Sequence, residues 1–112
     1  MTGIAERVLQ SSIRAQARTV DSVFKNLVEE VGELSRALNR PWRCDEPAIG
    51  EIADVLNCVI DLAFLLELQD CINPREDDMP AIVETVQRRL EHYVDKKCGK
   101  WDRGENADPG AL

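Results

Sequence analysis

Apolar residues recur along this chain at alternating spacings of three and four. The clearest run is Val20, Phe24, Leu27, Val31, Leu34 and Leu38, a stripe suited to packing against other helices. It predicts a helix over about 21–39, with Glu30 and Glu33 flanking the stripe and Pro41 ending the segment. Gly32, in mid-helix, costs about 1 kcal/mol relative to alanine and suggests close approach by a neighbouring backbone. A weaker apolar face of Ile4, Val8, Leu9 and Ile13 predicts a first helix over about 3–17, and Asp21 or Ser22 is placed to cap the next start.

From Pro47 to about Gln69 the pattern changes. Ile49, Ile52, Val55, Leu56, Val59, Ile60, Ala63, Phe64 and Leu66 cover most of the circumference, so this third helix is expected to be central. Its polar exceptions are ordered: Glu51, Asp54, Cys58 and Asp61 fall on one stripe, with Asn57 at the edge. The turn-rich INPREDDMP precedes a fourth helix over about 80–97, carrying Ile82, Val83, Val86, Leu90 and Val94, with Gly99 placed to stop it. The expectation is an all-α four-helix bundle formed by one domain, 1–100, followed by a polar tail, 101–112.

Composition narrows the classes. Aromatics make up only 4% of the 112 residues, so the core must be aliphatic, which favours packed helices. A net charge of −7 argues against binding a nucleic acid polymer. No apolar run approaches a membrane span, because Asn57, Asp61 and Glu67 break the longest one. Cys44, Cys58, Cys71 and Cys98 form no CxxC motif, and with His92 as the lone histidine a structural zinc site has little support. The amphipathic MTGIAERVLQ does not read as a signal peptide, so the expectation is four reduced thiols in a cytoplasmic protein.

The chemistry lies in two acidic pairs, Glu30 with Glu33 and Glu51 with Asp54. Each is spaced i,i+3 and projects from one side of its helix. A lone pair of this kind is usually solvated surface. The second pair, however, sits on a helix apolar on nearly every other face, where uncompensated charge costs several kcal/mol. On adjacent antiparallel helices the pairs would present four carboxylates to one point. That donor set suits Mg²⁺, with Mn²⁺ as a substitute, for polarising a phosphate and activating a water.

EEVGE (Glu29 to Glu33), a 17-residue spacer and EIAD (Glu51 to Asp54) resemble the EExxE…ExxD motif of MazG-like nucleoside triphosphate pyrophosphohydrolases, of the all-α NTP pyrophosphatase superfamily. The resemblance covers about residues 20–100. It implies Mg²⁺-dependent cleavage of a nucleotide between the α- and β-phosphates, giving the monophosphate and pyrophosphate, in nucleotide-pool housecleaning. It also implies that Glu30, Glu33, Glu51 and Asp54 are the metal ligands and catalytic residues. Glu29, about 100° around the helix from Glu30, would have an outer or surface role. The aromatic or histidine that family members often carry in the first helix is missing from SSIRAQARTV, so base preference does not transfer.

Lys97, Lys100 and Arg103 are the densest basic cluster and are candidates for holding phosphate, or for complementing the helix dipole. Asn57, Asp61 and Trp101 are candidates for nucleotide contact. Asp61 could equally act as a general base, as a carboxylate supporting the metal ligands, or as the partner of a basic residue, and Trp101 or Trp42 as a packing anchor. Apolar seams on so small a chain suggest a homodimer, or a tetramer of dimers, with the site near an interface. Two other readings share these residues: a phosphoribosyl-ATP pyrophosphohydrolase, and a non-catalytic helical module with a structural cation. A carboxylate-bridged di-iron protein is disfavoured by the lack of ExxH pairs.

Overall fold

The computed structural model describes residues 3–105. Four helices carry the fold, and the described residues contain no strand: α1 (Ile4–Arg14), α2 (Val20–Asn39), α3 (Ala48–Gln69) and α4 (Met79–Asp102). No helix among them is long and apolar enough to cross a membrane. The last residues of the tail expected at 101–112 lie outside the described residues.

Helix α1 is shorter than the expected 3–17 because the chain turns extended at Ala15. That turn returns Arg18 to the end of α1, where its guanidinium donates to the carbonyl oxygens of Ser12 and Gln16, each at 3.1 Å. Thr19, rather than Asp21 or Ser22, caps α2. Its Oγ1 accepts from the Ser22 N–H at 3.0 Å while Ser22 Oγ accepts from the Thr19 N–H at 3.1 Å, a reciprocal pair that satisfies two orphan donors.

At its far end the chain also departs from the pattern. Helix α4 runs through Gly99 to Asp102, so Trp101 is helical rather than part of a tail. Gly104 is the true stop, since its φ of 79° is a left-handed conformation that glycine adopts without strain. The Gly104 N–H then reaches Trp101 O at 2.9 Å and the Glu105 N–H reaches Lys100 O at 3.0 Å, closing the helix end.

Helices α2 and α3 form an antiparallel hairpin, the most extensive helix pairing in the chain. The core lies toward one end of it, where Leu9 of α1, Val23 of α2, Ile60, Phe64 and Leu65 of α3, and Ile82, Val83 and Val86 of α4 are buried together. The α2 seam is rotated from the expected one. Its inward stripe is Val20, Val23, Leu27, Glu30, Leu34 and Ala37, while Phe24, Val31 and Leu38 are 48%, 48% and 64% exposed. Both stripes keep the three-four spacing, and contact with α3 selects the one containing Glu30. Nor is α3 buried all round, because Ile49, Ile52, Val59 and Leu66 face outward. No backbone approaches Gly32, where an added Cβ would stand in open space.

Candidate metal centre

The two acidic pairs meet. One carboxylate oxygen from each of Glu30, Glu33, Glu51 and Asp54 can be chosen so that all four lie within 4.8 Å of one another. Glu30 and Glu33 come from one turn of α2, Glu51 and Asp54 from the opposing turn of α3, and the antiparallel hairpin brings those turns level. Burial is graded: Glu51 is 8% exposed, Glu30 and Asp54 are half-buried, and Glu33 is exposed.

Two oxygens set this cluster apart from ordinary surface carboxylates. Glu51 Oε2 and Glu30 Oε2 are buried with no hydrogen-bond partner. A buried acceptor is normally satisfied, and a buried carboxylate oxygen all the more so. Burial pushes the Glu51 carboxyl above its ordinary value of 4.5, and the charges of Glu46, Glu33, Asp54 and Glu30 push the same way. Glu30 is raised first by burial and then by Glu33 and Asp54. No arginine or lysine forms an ion pair with any of the four among the described residues. The four converging oxygen donors fit a hard divalent cation, which would satisfy the orphaned oxygens and offset the mutual repulsion.

Asp61 has a different role from its neighbours on the stripe. Its Oδ2 accepts from Arg18 Nε at 2.8 Å, and its Oδ1 accepts from Arg18 Nη2. Burial alone would raise its pKa. Hydrogen bonds from Arg18 and Ser12, together with the arginine's charge, outweigh burial and hold the carboxyl below its ordinary 3.8. Of the roles open to Asp61, partner of a basic residue is the one its geometry shows. Arg18 itself sits in SSIRAQARTV, a stretch that offers periodicity no apolar or acidic mark.

An open cleft of about 470 Å³ lies alongside, between α1 and the hairpin. Arg7, Val8, Ser11, Ser12 and Ala15 line it from α1 and the turn after it, Val23 and Asn26 from α2, and Asn57, Cys58 and Asp61 from α3. Cys58 bridges the two regions: burial raises its thiol pKa most, followed by the charges of Glu30, Asp61 and Asp54. All four cysteines are unpaired.

Asn57 thus reaches the cleft. Lys97, Lys100, Trp101 and Arg103 do not line it; they stand exposed on the outer end of α4. There Trp101 is 64% exposed and Arg103 pairs with Glu105 at 3.1 Å. Comparisons with protein-family profiles, with curated proteins and with solved structures find no match to this chain.

Proposed function

We propose that this protein is a Mg²⁺-dependent, MazG-like nucleotide pyrophosphohydrolase that converts a (d)NTP to its monophosphate and pyrophosphate. The observation that carries the reading is the set of four converging carboxylates with two buried, unpartnered oxygens. Glu30, Glu33, Glu51 and Asp54 would hold the metal. Mg²⁺, or Mn²⁺ in its place, would supply Lewis-acid polarisation of a phosphate and a lowered pKa for an attacking water. Glu51 and Glu30, whose carboxyls are raised by burial and by their acidic neighbours, would bind the cation in ionised form, with the cation's charge offsetting that repulsion. Glu33, the exposed member, faces the solvent from which substrate arrives.

The test is a panel of dNTPs, NTPs and phosphoribosyl-ATP with Mg²⁺, read as monophosphate plus pyrophosphate. Release of both from at least one nucleotide is expected. Hydrolysis of phosphoribosyl-ATP alone would move the assignment to that pyrophosphohydrolase. No product from any nucleotide, with either metal, would leave only a non-catalytic module whose carboxylates hold a structural cation.

The same reading takes the protein as a homodimer, or a tetramer built from dimers. On helical wheels of ~100° per residue, Phe24, Val28, Val31 and Leu38 of α2 share one side of the hairpin with Ile52, Val59 and Leu66 of α3. All seven are at least 40% exposed, and this side is opposite the one bearing Asn26 and Asn57. Two antiparallel stripes of similar length and matching spacing are complementary to their own copy about a two-fold axis. Lys97, Lys100 and Arg103 do not line the cleft of their own chain, and a site shared between copies is where this reading gives them a phosphate-holding role. Sedimentation at micromolar concentration should show a dimer or tetramer, and a monomer throughout would remove this element.

A further inference from the structure

A fifth carboxylate stands beside the quartet and belongs to neither acidic pair. Glu46 lies in the connection between α2 and α3, one residue before Pro47, the N-cap of α3. Its side chain folds back over the first turn of α3, into space that Gly50 leaves open. A Cβ on Gly50 would stand 2.6 Å from both Cγ and Cδ of Glu46, well inside the roughly 3.5–4.0 Å of ordinary carbon contacts. The fold-back therefore depends on glycine at position 50.

This placement brings Glu46 close to Glu51. After burial, Glu46 is the strongest influence raising the Glu51 carboxyl, ahead of Glu33, Asp54 and Glu30. Glu30 is raised by burial, Glu33, Asp54 and Glu29 with no share from Glu46, which puts Glu46 at the Glu51 end of the quartet. An exposed side chain could swing such a charge into water, so its position needs a cause. Capping of α3 is not that cause. The helix has no side-chain cap, and the N–H groups of Gly50 and Glu51 reach Pro47 O at 2.9 and 3.4 Å. Nor is an ion pair, because among the described residues no basic side chain pairs with Glu46. Glu51 itself is 8% exposed, and its buried Oε2 accepts from nothing. A hard cation between the two carboxylates would satisfy that oxygen and remove the repulsion.

We propose that Glu46 is a metal ligand outside the two acidic pairs, that it and Glu51 hold a divalent cation of their own at the outer end of the quartet, and that Gly50 makes the room for it. Glu51 has two oxygens, so it can serve this cation and the quartet's together. Two carboxylates with retained water are a usual protein share of a Mg²⁺ site. The inference rests on the metal-centre reading, and its test needs no turnover.

The intact protein is titrated with Mn²⁺ in the absence of nucleotide, and free Mn²⁺ is counted from its EPR signal. The parent is expected to bind two ions per chain. Glu46→Gln should keep one at the parent's affinity and weaken the other by about tenfold or more. Glu46 is exposed, so this variant should fold as the parent does, which its metal-free melting curve checks. Gly50→Ala should lose the same ion by another route, because the added methyl displaces the flexible end of Glu46. Alanine also favours the helix, so its metal-free melting temperature should hold or rise. A glycine kept only for folding predicts the opposite, a lower melting temperature with both ions still bound, and that result overturns the proposal. One ion per chain in the parent, or two in Glu46→Gln at parental affinity, also overturns it while leaving the quartet's centre standing. A parent that binds no Mn²⁺ removes the metal centre as well.

Discussion

Replacing Glu51 with glutamine is expected to abolish nucleotide hydrolysis and, in the same protein, to raise the melting temperature measured without metal. The two effects have one cause. Glu51 is 8% exposed, has an unpartnered buried oxygen, and faces Glu33, Asp54 and Glu30. A glutamine keeps the shape and removes the charge that the cation requires, so activity should fall by about 10²-fold or more. Without metal, that charge only repels its neighbours. The pH dependence follows from its direction. A carboxyl raised above 4.5 in the folded state leaves the folded protein holding more protons than the unfolded one. Its contribution to stability is fully present below pH 4.5 and is lost as pH rises through the elevated folded value. Metal-free parent protein should therefore lose stability over that window, Glu51→Gln less so, and added Mg²⁺ should stabilise the parent increasingly as pH rises. A variant that keeps most of its activity, or a parent that Mg²⁺ does not stabilise at pH 8, would remove Glu51 from the metal centre.

Arg18→Ala should cost about 3 kcal/mol in urea unfolding, the scale for stranding one partner of a largely buried ion pair. Arg18 and Asp61 side chains are 19% and 17% exposed, and the guanidinium also holds the Ser12 and Gln16 carbonyls at the end of α1. Removing it leaves Asp61 buried without its partner and releases α1 from α3. Asp61 is held below its ordinary 3.8, so its stabilisation is present above that pH and is lost as pH falls through the depressed folded value. The acid-side loss should vanish in Arg18→Ala. Replacing both residues, as Arg18→Met with Asp61→Leu, should recover much of the deficit, because no unpaired charge remains. A loss of under about 0.5 kcal/mol, the size of an exposed pair, would show that the pair is a surface feature after all.

Much of this protein could be read along the chain, and the failures are specific. Helix α2 was legible because its apolar spacing is strict, yet two stripes satisfy that spacing. Choosing between Val23–Leu27–Leu34 and Phe24–Val31–Leu38 takes a neighbour, and α3 supplies it. Gly99 looked like a helix stop, but glycine ends a helix only where the backbone turns left-handed, and that happens at Gly104. Arg18 and Asn26 escaped notice because one side chain in a turn, or one on a helix flank, carries no period. The carboxylate that Arg18 pairs with, Asp61, lies 43 residues along the chain.

The sequence by itself determined the four helices, the aliphatic core and the two acidic pairs, because these depend on periodicity and on spacings within single helices. Tertiary structure alone decided which face of α2 is inward and which side of α3 is left exposed. It also decided that the four carboxylates converge with two oxygens orphaned, that Asp61 is neutralised by Arg18, and that a cleft opens beside the site. Each depends on the relative placement of helices, which hydrophobic packing sets through the whole chain and no local pattern encodes.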